Sequence, residues 1–413
     1  MNKETILKIT GVKENFQVPD ALLKIVLDEK KRKLAFDEVL KSDENLEFDL
    51  FLEYFQVGQS DRKGFMQDFT PYCVGEIVAR LAGSNGEIKD VCAGTGSLSV
   101  ANWKNHKESK IVAYELSDST LPFLLFNLAI RNVDGYVVHG DVLTGEIKGV
   151  YKLASNSQYS DVLKIDHFDD KKSEIVITNP PYSLPFDFCN FKNDVRFKGF
   201  GIPPKAKADF GFVLHSLSLL NEKGVSICIL PHGVLFRGQK EGAIRKKLID
   251  NNLLDTVVGL PDKLFLNTSI PVCLLVFKKS RTAKDVYFID ASKEFEKDKN
   301  QNNLTNENID KIIKAFKERQ DIEKYAHLAS IEEIKENEYN LNIPRYVDTF
   351  EKEPVPDLEE TLKSLLETKK EIKKAEKDLL ELVGSLRGTS GEEDVKLQRE
   401  INLFKEYVGG LYD

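Results

Sequence analysis

The sequence predicts an α/β protein built on a mostly parallel, doubly wound sheet of about seven strands. Three observations carry this. Short apolar runs alternate with helical stretches from residue 87 to 290, the pattern of βαβ units. One strand-like run, Glu87 to Cys92, passes directly into the tight turn Ala93-Gly94-Thr95-Gly96, which opens a helix. Finally, several runs end in a polar residue, Asp141 and Asn179 among them, as strands do where a ligand crevice lies outside their carboxyl ends.

In chain order, residues 1–62 carry apolar clusters at helical spacing, Leu22, Leu23, Ile25 and Val26, then Phe48, Phe51, Leu52 and Phe55. They read as a small helical cap or partner-binding domain without chemistry of its own. In the next segment Thr70 is placed to cap a helix whose first turn holds Pro71. A first strand over 87–92 contains Asp90, and the glycine turn follows, with Ser99 where a dinucleotide fingerprint has its third glycine. A second strand, Ile111 to Tyr114, ends in Glu115, about 20 residues past the turn, where a carboxylate accepts from ribose hydroxyls. Strands at 135–139 and 175–178 lead to Asp141 and Asn179, so Asp90, Glu115, Asp141 and Asn179 are directed toward one crevice. Further strands at 225–230, 256–260, 272–277 and 286–290, with helices at 208–220 and 241–251, complete a domain spanning 63–290.

Beyond 290 the composition shifts to Lys, Glu and Asn, and 291–355 reads as a helical linker region closed by Pro354 and Pro356. From Asp357, residues Leu358, Leu362, Leu365, Lys369, Ile372, Glu376, Leu379, Val383 and Leu386 follow spacings of four and three, a heptad seam. Its charged members, Lys369 and Glu376, suit a particular partner helix better than an indefinite homodimer. Residues 356–413 therefore read as a helix or helical hairpin for partner binding, with a solvated or intramolecular helix as the alternative.

The chain has 413 residues, 41% of them hydrophobic, which places it among globular proteins with a sizeable core. Apolar runs approaching ~20 residues are missing, as is a basic, apolar leader, so a cytoplasmic location without membrane association is expected. The five cysteines are scattered, without a Cys-x-x-Cys pair, and neither a metal nor a disulfide is expected from them. A net charge of −8 opposes a surface that grips nucleic acid throughout, so a partner is expected to supply much of the grip if the substrate is DNA.

The most specific stretch is Ile175 to Ser183, an apolar strand ending in Asn179-Pro180-Pro181-Tyr182. Proline fixes φ and removes a donor, and the residue before it is held extended, so Asn179 and the Pro180 carbonyl are presented rigidly. The Asn179 amide oxygen and the Pro180 carbonyl are two preset acceptors for the hydrogens of an exocyclic NH2, and the Tyr182 ring is placed to stack on the attached heterocycle. Such a site suits N-methylation of adenine and needs no metal. The same clamp serves a protein glutamine or an RNA base, and a non-catalytic structural subunit is a further alternative.

Over most of its length the sequence resembles the modification (M) subunits of type I restriction-modification systems, which are adenine-N6 DNA methyltransferases. Phe69-Thr70-Pro71 resembles the family's upstream cofactor motif, Asp90 to Leu98 its glycine motif, Glu115 its ribose carboxylate, Asp141 its adenine-side acid, and Asn179 to Tyr182 its catalytic motif. Pro231 to Gly238, Ile244 to Leu248 and Leu260 to Phe265 also look like this family. The resemblance implies a Rossmann-like class I sheet, S-adenosyl-L-methionine as cofactor, and Asn179, Pro180, Pro181 and Tyr182 as the catalytic residues. It implies cofactor contacts from Gln67, Asp68, Phe69, Thr70, Pro71, Asp90, Ala93, Gly94, Thr95, Gly96, Glu115, Asp141 and Asn179. As partners it implies DNA, a specificity (S) subunit, a second M copy and, in some assemblies, a restriction (R) subunit. The N-terminal region is shorter than is common in the family.

Overall fold

The computed structural model describes residues 1–42, 44–58, 69–83, 86–265, 268–298, 301–349 and 357–409. Gln67 and Asp68 lie outside the described residues. The chain forms two units, Met1–Thr349 and Phe350–Asp413.

The first unit begins with helices α1 (Lys3–Thr10), α2 (Val18–Leu27), α3 (Glu29–Lys41) and α4 (Leu52–Gly58), followed by α5 (Tyr72–Ala82). Then come β1 (Ile88–Val91), α6 (Ser97–Asn105), β2 (Ile111–Glu115), α7 (Leu121–Ile130), β3 (Gly135–Asp141), β4 (Glu146–Ala154), β5 (Asp161–Ile165) and β6 (Ser173–Thr178). After a long connection follow α8 (Asp209–Leu219), β7 (Leu220–Pro231), α9 (Gly233–Phe236), α10 (Gln239–Asp250), β8 (Leu254–Gly259), β9 (Val272–Lys278) and β10 (Asp285–Asp290). The unit closes with the hairpin β11 (Glu296–Asp298) and β12 (Gln301–Asn303), then α11 (Asn306–Glu318), β13 (Ala326–Ser330) and α12 (Ile331–Glu336).

Among the described residues the main sheet has eleven strands in the order β13-β10-β8-β9-β7-β6-β1-β2-β3-β4-β5. Its centre, β3-β2-β1-β6-β7, is parallel throughout. Strands β1 and β2 are buried at every position, as strands covered on both faces must be; β2 is apolar up to Glu115, whereas β1 buries Lys89 and Asp90 between Ile88 and Val91. The flanks are mainly antiparallel, with β3-β4-β5 on one side, β9 between β7 and β8, and β13 against β10, while β10 pairs with β8 in parallel. The expectation of about seven mostly parallel strands thus covers the centre and misses β4, β5 and β13. Those strands lie toward the sheet margins, and β4 and β5 keep many side chains half-buried or exposed, so they alternate with polar residues instead of forming an apolar run.

From β1 the chain winds outward to β2 and β3 in one direction and to β6 and β7 in the other. The reversal between β1 and β6 puts the carboxyl ends of β1, β2, β3 and β6 around one crevice, the position at which open α/β sheets bind ligands.

The N-terminal helices pack on the sheet layer. Val18, Leu22 and Val26 of α2 share an apolar cluster with the wholly buried α7, and Phe36 meets Phe126 edge-to-face at 4.7 Å. Each such ring pair adds roughly 1 kcal/mol to its area burial. Residues 291–349, expected as part of a linker, join the same unit: β13 extends the sheet, Ile309, Ile312 and Ile313 of α11 are buried in the cluster containing Ile77 and Val78 of α5, and Tyr346 stacks on Phe288 at 3.9 Å.

The second unit is a helical hairpin of α13 (Leu358–Gly384) and α14 (Gly391–Gly409). Asp357 caps α13 by accepting from the amides of Glu359 and Glu360. Leu386 falls beyond the helix end, but the rest of the seam lies on α13. Leu358, Leu362, Leu365, Ile372 and Leu379 are exposed.

Candidate active site

A cleft with about 950 Å³ of atom-free space, open mouth included, lies at the carboxyl ends of the central strands. Of the residues singled out in the sequence, Phe69, Thr70, Ala93, Gly94, Glu115, Asp141, Asn179, Pro180 and Pro181 line it. Five separate segments of the chain are thereby brought together.

The glycine turn forms the floor. Gly94 (φ 59) and Gly96 (φ 100) occupy the left-handed region, which a residue with a Cβ adopts only under strain. A Cβ on Gly94 would stand 3.4 Å from the Phe69 ring, in ordinary contact, and one on Gly96 would press on Leu124 at 2.9 Å, so the backbone conformation is what disfavours a side chain at Gly94 and crowding adds to it at Gly96. Across the turn, Glu115 accepts from the amide of Gly94 at 2.7 Å and from that of Ser117 at 2.8 Å. The carboxylate is almost fully buried, and this burial pushes its pKa up against the pull of those amides. Further donors are therefore favoured at its remaining lone pairs. Asp141 closes the β3 loop by accepting from the amide of Leu143 at 2.8 Å.

The clamp sits opposite. The Asn179 side-chain nitrogen donates to Thr70 Oγ1 at 2.9 Å, and its oxygen accepts from the Tyr182 hydroxyl at 2.7 Å. Thr70 was expected to cap the following helix, but that helix begins after Pro71 with no side-chain cap, and the threonine instead holds the Asn179 amide. Tyr182 also departs from expectation: its ring is buried, edge-on to Phe265 at 6.1 Å, and does not line the cleft. The chain turns at Ser183, which is left-handed at φ 54 and donates its amide to the buried Asp209 at 2.8 Å. Asp209 in turn pairs with Arg237 at 2.8 Å.

Four other singled-out residues shape the site without lining it. Asp90 is fully buried and accepts from Ser99 Oγ at 2.6 Å, so the serine that replaces a third glycine is the partner of the strand's acid. Thr95 is buried behind the turn, Gly96 starts α6, and Pro71 precedes α5.

The sequence reading missed the apolar walls. Leu116, Val142, Leu143, Leu184, Phe186 and Phe212 line the cleft, along with Cys92, whose thiol burial pushes well above its ordinary value. A signal existed for the first three, which directly follow Glu115 and Asp141. Phe212, brought in by α8, had none. Arg196 braces the wall from behind: it donates to the carbonyls of Val142 and Leu143, each at 2.7 Å, and pairs with Asp194. Phe197 is core.

A parallel sheet with a glycine turn after its first strand, an acid ending the second and an Asn-Pro-Pro-Tyr motif ending β6 defines a class I S-adenosylmethionine-dependent methyltransferase. The profile of the N-6 DNA methylase family matches residues 44–354, and the chain belongs to that family of adenine-specific DNA methyltransferases. It is 30% identical over 405 residues to the methylase subunit of the type I restriction enzyme MpnII of Mycoplasma pneumoniae, covering 90% of this chain and 72% of that protein. It is 30% identical over 323 residues to the MjaVIII methylase subunit of Methanocaldococcus jannaschii, covering 72% of this chain but only 52% of that one. Among solved structures, the methyltransferase subunit of a type I restriction-modification system from Streptococcus thermophilus superposes with a TM-score of 0.62 at 33% identity, covering 84% of this chain and 85% of that one. The type I restriction enzyme EcoKI M protein shares the fold at a TM-score of 0.51 and 18% identity, covering 95% and 92%. No helix among the described residues is long and apolar enough to cross a membrane.

Proposed function

We propose that this chain transfers a methyl group from S-adenosylmethionine to N6 of adenine in DNA, acting in the cytoplasm as the modification subunit of a type I restriction-modification assembly. The observation that carries this reading is that Asn179 and Pro180 share one cleft with Gly94 and Glu115. Only a site that joins a nucleoside-binding half to an amine-binding half needs that combination.

The residues present suit the cofactor. Gly94 and Phe69 line the cleft side by side without a Cβ between them, Glu115 keeps lone pairs for a ribose diol, and Leu116, Val142, Leu143 and Phe186 offer apolar surface for its adenine. When bound, the cofactor supplies an electrophilic sulfonium methyl. The chain's part is to prepare the nucleophile. The adenine amine is conjugated with its ring, so Asn179 Oδ1 and the Pro180 carbonyl accept its two hydrogens and favour a pyramidal nitrogen as positive charge develops. Asn179 Oδ1 already accepts from Tyr182, so the incoming amine joins or replaces that bond. The base must leave the duplex stack to reach the clamp.

The partners assigned here are DNA, a specificity subunit that reads sequence, a second M copy and, where one is encoded, a restriction subunit. The division into 1–62, 63–290, 291–355 and 356–413 goes with this as a division by role, the regions up to Thr349 sharing one unit and 356–413 serving as the docking hairpin. The test is to express the chain with the neighbouring specificity gene and map N6-methyladenine in host DNA. Methylation at a defined site that disappears with Asn179→Ala is expected, and its absence with the wild-type pair overturns the reading.

A further inference from the structure

We infer that Asp49, which lies between α3 and α4 in a region without predicted chemistry, is a positioning residue that sets the shape of the glycine turn. One oxygen of Asp49 accepts from Thr95 Oγ1 at 2.5 Å and Ser97 Oγ at 2.6 Å. The other accepts from Asn127 Nδ2 at 2.6 Å and from the Phe51 amide at 2.9 Å. Four donors thus converge on one carboxylate: one, Thr95, belongs to the turn that floors the cleft, and another, Ser97, is the first residue of the helix that the turn opens.

The surroundings fix this carboxylate in place. Asn127, on α7, is fully buried, donates also to the Thr95 carbonyl at 2.8 Å, and accepts from the Leu50 amide at 3.3 Å. Arg131, which caps the C-terminal end of α7, is likewise buried and donates to the carbonyls of Leu46 and Phe48. Segment 46–50 is therefore held by α7 and holds the turn in its own right. A turn whose glycines lack side-chain restraint has many accessible conformations, and its order must be imposed from outside. Glu115 restrains it from the β2 side through the Gly94 amide, and Asp49 restrains it from the opposite side through Thr95 and Ser97. Ser97 lines the cleft, so its position is part of the site. The N-terminal region is on this account a component of the cofactor site and not a separable cap.

The inference rests on the reading that the cleft takes S-adenosylmethionine. It is tested on the full chain by calorimetry with S-adenosylmethionine, well below the unfolding midpoint of each variant. Asp49→Ala is expected to weaken binding at least about tenfold, the order set by losing a charge-assisted hydrogen bond. Asp49→Asn is expected to recover most of that loss, because its oxygen can face Asn127 and Phe51 while its NH2 faces two hydroxyls able to accept. A residue that only stabilised the fold would leave the affinity of the folded variant unchanged. Should Asp49→Ala fail to fold, Thr95→Val, which deletes only the buried hydroxyl, is expected to weaken binding in the same direction. Glu38→Ala, an exposed change on α3, is the control. Wild-type affinity in both Asp49→Ala and Thr95→Val overturns the inference. If the wild-type chain itself binds no S-adenosylmethionine, the functional reading falls instead. The positioning role is then decided by hydrogen exchange of amides 94–97, faster in Asp49→Ala if it holds and unchanged if it does not.

Discussion

Asn179 and Thr70, 109 residues apart in the chain, are joined by a 2.9 Å hydrogen bond from the asparagine amide nitrogen to the threonine hydroxyl. The bond occupies the nitrogen and leaves the oxygen as the end of the amide that faces acceptor duty. It also joins the segment before α5 to the end of β6, two walls of one cleft. Thr70→Val keeps the shape and removes the hydroxyl, so the amide can rotate. Single-turnover methylation should slow about tenfold, in line with one hydrogen bond, while Thr70→Ser stays near wild type. An unaltered rate in Thr70→Val would show that the bond does not orient the clamp.

Tyr182 supports the clamp from its buried side, so its substitutions should separate packing from chemistry. Removing the ring by Tyr182→Ala leaves a cavity beside Phe265 and should cost about 3 kcal/mol of stability. Tyr182→Phe keeps the ring and deletes only the hydroxyl on Asn179, at about 1 kcal/mol. Denaturant midpoints of the two variants check the order, and equal midpoints would contradict the buried placement.

The sequence revealed those parts of the site that chemistry confines to one stretch of chain. Asn179, Pro180 and Gly94 are legible because rigid presentation and close backbone approach each demand a particular residue at a particular strand end. Glu115 is legible from its distance past the turn. Thr70 was visible but misassigned, since a Thr-Pro pair suits a helix start as well as a hydrogen bond to a distant strand. Asp49 carried no local signal, because its four partners come from the glycine turn, α6, α7 and its own loop and meet only in the fold. The edge strands β4 and β5 were missed for a related reason: their side chains alternate weakly, and their stability comes from pairing with β3, which periodicity does not report.

Asp90 predicts a pH dependence. It is fully buried, and burial, only partly offset by the Ser99 hydrogen bonds, pushes its carboxyl up to about 7 from the ordinary 3.8. Between those values the folded chain retains a proton that the unfolded chain has released. The stabilising contribution is therefore fully present below the unfolded value and is lost as pH rises through about 7. The slope from this one group is at most about 1.4 kcal/mol per pH unit. Thermal unfolding of the cofactor-free chain should show stability falling across this window, and Asp90→Asn should flatten the fall and raise stability at its upper end. A profile identical in the two proteins would remove Asp90 as the source.

Asp209 links the clamp to the region of α9 and α10. It is fully buried, accepts from the Ser183 amide, and pairs with Arg237, which also reaches Glu241 at 3.2 Å. Arg237→Met strands that carboxylate without its cation and should destabilise by about 3 kcal/mol, the lower end for breaking a buried pair. Pairing Arg237→Met with Asp209→Asn should cost less than the sum of the single changes. Additive unfolding energies would mean that the two groups act independently.

The remaining prediction concerns the second unit. Helix α13 exposes Leu358, Leu362, Leu365, Ile372 and Leu379 along one heptad seam, interrupted by Lys369 and Glu376. An exposed apolar seam is costly in water, and the charges at two seam positions select a partner with complementary residues over indiscriminate self-association. On the proposed function that partner is a specificity subunit, which also brings the basic surface that a chain of net charge −8 lacks. The main sheet is complete by β13, and the first unit ends at Thr349. A chain stopped after Pro356 should therefore fold, with the same cofactor affinity as the full chain, yet fail to co-purify with the specificity subunit and lose site-specific methylation. Replacing Leu362, Leu365 and Ile372 together by Asp should reproduce the loss in the full-length protein. Calorimetry, co-purification and methylation mapping on these two proteins check the assignment. A truncated chain that alone methylates a defined sequence would place recognition within residues 1–356 and end the docking role of the hairpin.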